Sequence, residues 1–120
     1  MIMFIYFSTK FSAVQLMSIQ ALLKELREKV CSILGDKLEE IILYGSYARG
    51  DYSTRSDVDI LLVVKEKLNL EEYEKIMEIA AELSLKYERI ISIMDYPKRI
   101  FTSSDSPFLQ NVKREGIKVE

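Results

Sequence analysis

Ten intervening residues separate Gly45 and Ser46 from a second chemistry-bearing pair, Asp57 and Asp59, in the stretch LYGSYARGDYSTRSDVDILLVV from Leu43 to Val64. A glycine after the apolar run Ile41 to Tyr44 permits a tight turn whose backbone can approach a ligand, because no Cβ obstructs it. Ser46 adds a hydroxyl and a backbone N–H at the start of Tyr47, Ala48 and Arg49. That is a place for a phosphate or, more simply, a helix cap. Asp57 and Asp59 are two residues apart, so on a strand both carboxylates project from one side while Val58 and Ile60 point into the packing. Two anions this close repel unless a proton or a cation sits between them. Mg²⁺ takes oxygen ligands and combines one or two carboxylates with substrate phosphates, which makes the aspartate pair and the nearby turn one metal and phosphate site. The competing reading is a solvated strand entrance in which Ser56 and Asp57 serve as turn residues.

Composition narrows the chemistry further. The chain has no histidine, so Ser-His-Asp triads and His-rich zinc sites are excluded, and acid, base or metal chemistry must run through carboxylates, Lys, Tyr or Ser. Seventeen Lys plus Arg stand against nineteen Asp plus Glu, without the positive field that holds long nucleic acid. The single Cys31 has no intramolecular disulfide partner, which fits a reducing, cytoplasmic compartment, and reads as a small helix residue. The opening stretch MIMFIYFSTKF lacks a basic leader and a cleavage site, and falls short of the roughly 20 residues that span a bilayer. Residues 1–16 read as an extra edge strand or a loose tail.

These residues need elements to position them. From an N-cap at Ser18, the apolar positions Ile19, Leu22, Leu23, Leu26, Val30, Ile33 and Leu34 recur at helical spacing until Gly35. Ile41 to Tyr44 and Val58 to Val64 read as strands, the second well buried. Asn69 and Glu72 form a capping box, with Leu68 able to staple against Tyr73, for a second helix through Tyr87. Arg89 to Pro97 reads as a third strand stopped by proline. Ser106 and Pro107 open a short helix that Gly116 ends before the run Ile117 to Val119. The length and the absence of a linker favour one domain over residues 1–120, an α/β fold in which helices cover a small mixed sheet.

The spacing of Gly45-Ser46 and Asp57-Val58-Asp59, with "GSYARG" and "SDVDILL" around it, resembles the minimal nucleotidyltransferase (MNT) group of the polymerase-β-like nucleotidyltransferase superfamily. The resemblance covers most of the chain from about Met17 and includes the ending SPFLQNVKREGIKV. It implies a nucleotidyltransferase fold, a nucleoside triphosphate whose phosphates lie at Gly45 and Ser46, and two Mg²⁺ ions held by Asp57 and Asp59. It further implies transfer of a nucleotidyl group, such as AMP from ATP, to an acceptor. Arg49 either reaches the triphosphate or plays an exposed structural role.

The superfamily usually supplies a third carboxylate from the third strand, and Ser92 aligns with it. Asp95 lies three residues on and would reach the metal face only through a bulge before Pro97. Members of the group commonly occur beside small all-helical HEPN proteins, as the antitoxin of a toxin-antitoxin pair that can modify its toxin. Acceptor recognition in so short a chain would need a homo-oligomer or a separate protein. Two alternatives remain: a catalytically weak or inactive MNT-fold binding module that neutralises a helical partner by contact, and a small-molecule nucleotidyltransferase. Tyr44, Tyr47 and Tyr52 either stack a base or pack beside the turn. Lys65 to Lys67 and the pair Lys113-Arg114 read as solvated surface.

Overall fold

The computed structural model describes the backbone of residues 13–52 and 57–120, with side chains from residue 18 onward in those ranges. Helix α1 (Ala13–Leu34) begins before the expected cap at Ser18, because Ala13, Gln15, Leu16 and Met17 are good helix formers with no breaker among them. This corrects the strand-or-tail expectation for residues 13–16; the part that falls on residues 1–12 lies outside the described residues. Ile19, Leu22, Leu23, Leu26, Val30 and Leu34 all turn into the main core.

A short 3₁₀ turn over Gly35–Lys37 leads into β1 (Leu38–Tyr44), which starts three residues earlier than its apolar run. The one-turn helix α2 (Ser46–Arg49) follows, then β2 (Val58–Val64), α3 (Leu70–Tyr87) and β3 (Ile91–Pro97). The capping box of α3 is present, with the Glu72 N–H donating to Asn69 Oδ1 at 2.8 Å and the Asn69 N–H donating to Glu72 Oε1 at 2.9 Å. Leu68, expected to staple against Tyr73, is buried in the main core, and Tyr73 stays exposed. Helix α4 (Lys98–Ser103) was not expected; helix α5 (Pro107–Glu115), capped by Ser106 through the Leu109 N–H at 3.1 Å, and the two-residue β4 (Ile117–Lys118) complete the fold.

The sheet has four strands in the order β3-β2-β1-β4 and is mixed: β1 runs antiparallel to β2 and β4, and β2 runs parallel to β3. Parallel neighbours need a crossover, which α3 provides. Alternation along β2 divides two layers of packing. Val58, Ile60, Leu62 and Val64 face α1 and α3 in the main core, while Leu61 and Val63 face the opposite side with Ile42, Leu109 and Val112. Helix α5 covers only part of that second face, and the aspartates emerge on it. Among the described residues, no helix is long and apolar enough to cross a membrane.

Candidate functional site

At the end of β1 the chain turns through Gly45, whose φ of 77° and ψ of −154° suit glycine and strain any other residue. The Gly45 carbonyl accepts from the N–H groups of Ala48 and Arg49, both at 3.1 Å, and so starts α2. Gly45 is the N-cap and Ser46 the first helical residue, so no side chain caps this turn and the Ser46 hydroxyl is not its cap. A Cβ on Gly45 would overlap the Asp59 Oδ2 atom, which places the Asp59 carboxylate directly against the turn. The two halves of the sequence motif therefore meet in space.

Register explains how. Tyr44 of β1, Asp59 of β2 and Ser92 of β3 are paired neighbours across three strands, and all three stand on the second face of the sheet. Asp57 precedes β2 and is exposed, while the Val58 N–H donates to the Ile90 carbonyl at 2.8 Å and fixes the strand entrance beside β3. Burial, and then the neighbouring charge of Asp57, push the Asp59 carboxyl above its ordinary range, with Arg49 opposing them. A divalent cation between the two carboxylates would reverse that repulsion.

The other expected site residues fall in different places. Arg49 is exposed and pairs with Asp51 at 3.2 Å and with Glu115 at the end of α5 at 3.6 Å. Asp95 pairs with Leu62, whose side chain faces the main core, and the parallel ladder from Val58 to Val64 runs without a register shift. The bulge that would carry Asp95 to the face of Asp59 is absent, because β3 stays regular as far as Pro97. Burial pushes the Asp95 carboxyl up, with Lys67 opposing. Tyr47 and Tyr52 stack on each other at 4.3 Å and are buried in the main core, so neither offers a face to a base.

Tyr44 does border the site. Its hydroxyl donates to Met94 Sδ at 3.4 Å, and its ring meets Phe108 edge to face at 5.4 Å. Burial, then Asp59 and Tyr96, push its phenol up to about 12. Sequence reading assigned no role to Arg89, whose charge opposes the upward shift that burial imposes on Tyr47 and Tyr52. Glu115 was also missed as a partner of Arg49, since nothing local in the sequence joins two residues so far apart.

The pattern of the nucleotidyltransferase domain family matches residues 23–119, four fifths of the chain, including both halves of the site. The chain belongs to this family. As a nucleotidyltransferase-domain protein it is 47% identical over 103 residues to a candidate protein adenylyltransferase of Methanocaldococcus jannaschii, covering 86% of this chain and all of the relative. Its fold is that of solved minimal nucleotidyltransferases. A candidate minimal nucleotidyltransferase superposes with a TM-score of 0.60 at 19% identity, covering 92% of this chain and 98% of the other. A chain of the complex of tri-AMPylated Shewanella oneidensis HEPN toxin with MNT antitoxin superposes with a TM-score of 0.58 at 20% identity. It covers 84% of this chain and 71% of that one.

Two carboxylates against a phosphate-type turn fit one hard divalent ion completed by phosphate oxygens and water. Among the described residues, no group of three or more His, Cys, Asp or Glu could hold a metal.

Proposed function

We propose that this chain transfers AMP from ATP, with Mg²⁺, to a protein acceptor, as the antitoxin of a HEPN/MNT pair in the cytoplasm. The observation that carries the reading is the contact between the Gly45 turn and the Asp59 carboxylate, which brings a phosphate cradle and a cation ligand to one point. The relative from Methanocaldococcus jannaschii supports adenylyl transfer to a protein, and the Shewanella oneidensis complex supports a HEPN partner.

In this mechanism the open backbone at Gly45 and the hydroxyl of Ser46 bind the β and γ phosphates. Asp57 and Asp59 hold the ion, and Arg49 reaches the triphosphate when it exchanges its carboxylate partners for phosphate. An Mg²⁺ ion held by Asp57 and Asp59 would supply positive charge against the phosphate oxygens around the reacting α-phosphorus. Tyr44, Met94 and Phe108 line the site on the side of α5.

The test is label transfer from α-labelled ATP to a helical HEPN-type protein of the same host. Transfer that needs Mg²⁺ and falls at least about a hundredfold in the Asp57→Asn, Asp59→Asn double variant supports the reading. Unchanged transfer by the folded variant would show that the site is elsewhere. A second reading, a contact antitoxin that binds nucleotide without transferring it, is favoured by Ser92 in register with Asp59. In that case the partner is neutralised and never labelled.

A further inference from the structure

Tyr44, Asp59 and Ser92 form one row across β1, β2 and β3 on the site face, and only the middle member is a carboxylate. Ser92 lies where a further acid would share an ion with Asp57 and Asp59. Among the described residues, no third acid joins Asp57 and Asp59 in a metal-holding group. Asp95 stands on the opposite face, and Asp51 is paired with Arg49. Residues 1–17 and 53–56, whose side chains lie outside the described set, contain no Asp, Glu, His or Cys.

Mg²⁺ needs an octahedral oxygen shell, which two carboxylates, phosphates and water can complete once. A pair of ions about 4 Å apart needs further ligands to bridge them. With Asp59 taken up by the ion, the same row has no further proton acceptor for an attacking hydroxyl. The Tyr44 hydroxyl donates to Met94, a serine hydroxyl is no base at neutral pH, and the chain has no histidine.

We propose that this chain by itself binds a single divalent ion with the triphosphate and has no base for the acceptor hydroxyl, because Ser92 stands where both functions need a carboxylate. The proposal rests on the nucleotidyl-transfer reading above. With water as acceptor, the water oxygen bonds to the α-phosphorus and the bond from that phosphorus to the bridging oxygen of the β-phosphate breaks. Pyrophosphate leaves with the electron pair, and the water proton passes to bulk solvent. In Ser92→Asp the introduced carboxylate takes that proton instead and completes a second ion site.

The experiment titrates Mn²⁺ into the full chain with an α,β-methylene analogue of ATP and counts bound ions by electron paramagnetic resonance. Pyrophosphate release from ATP in water is followed in parallel. The wild type and Ser92→Ala are expected to bind one ion per chain, and Ser92→Asp two. Pyrophosphate release should rise about a hundredfold in Ser92→Asp. Two ions on the wild type would overturn this inference while leaving the transfer reading intact, as would Ser92→Asp, shown to be folded, with one ion and an unchanged rate. Failure of the wild type to bind either Mn²⁺ or the analogue would overturn the transfer reading and this inference with it.

Discussion

Asp59 carries opposing demands. Its folded carboxyl holds a proton more tightly than an ordinary aspartate, because burial and Asp57 both disfavour its charge. In the metal-free protein its ionisation therefore costs the fold stability. That cost is absent below the unfolded carboxylate range, grows as pH rises through the folded value, and persists at neutral pH. Asp59→Asn is expected to melt a few degrees above the metal-free wild type at pH 7, with the difference shrinking as pH falls toward about 3. Thermal melts across that range check it, and a variant that melts lower at pH 7 would contradict it. Gly45→Ala should act in the opposite direction, since it meets both a positive φ and the Asp59 carboxylate. A loss of about 1–3 kcal/mol in denaturant unfolding, together with loss of nucleotide binding, is the expected result. The approach of Asp59 to the Gly45 turn is legible in the sequence because an antiparallel pairing of neighbouring strands folds a local motif onto itself. The pairing of Arg49 with Glu115 is not legible, because α5 reaches it only through the tertiary fold.

At the level of elements, β2 is the scaffold. Leu62 is fully buried between the sheet and its helices, and Leu62→Ala should cost about 2–5 kcal/mol in denaturant unfolding. Helix α3 lies on the far face, so Asn69→Ala should cost about 1 kcal/mol through its lost cap while nucleotide affinity stays unchanged. Strong local signals revealed α3, β2 and α5: a capping box, a continuous apolar run, and Ser-Pro before an amphipathic turn. The start of β1 was hidden because Glu39 and Glu40 are poor strand formers, and pairing with β2 overrides that preference. Helix α4 was hidden for a different reason. It is six residues long and has no apolar period; the Thr102 and Ser103 hydroxyls donate back to the Lys98 and Arg99 carbonyls at 2.9 and 2.6 Å.

For the whole molecule, the division of the sheet into a covered and a partly open face decides what the chain can do. Helices α1 and α3 pack on one face and are joined by Glu25, which accepts from Lys86 Nζ at 2.7 Å and from the Tyr87 hydroxyl at 2.9 Å. The other face is left for Asp59, Tyr44 and Ser92 beside α5. Residues 43–59 supply the Gly45 turn and both aspartates, whereas the distant neighbour of Asp59, from β3 across the α3 crossover, is Ser92. A nucleotide that binds only the folded state should stabilise it by about 2.7 kcal/mol at a hundredfold excess over its dissociation constant. The most direct measurement is calorimetric titration with ATP, with and without Mg²⁺, of the wild type and of the Asp57→Asn, Asp59→Asn variant. Binding that needs Mg²⁺ and disappears in the folded variant is the predicted result. Binding that is indifferent to both the metal and the two substitutions would contradict a nucleotide site built on Gly45, Ser46, Asp57 and Asp59.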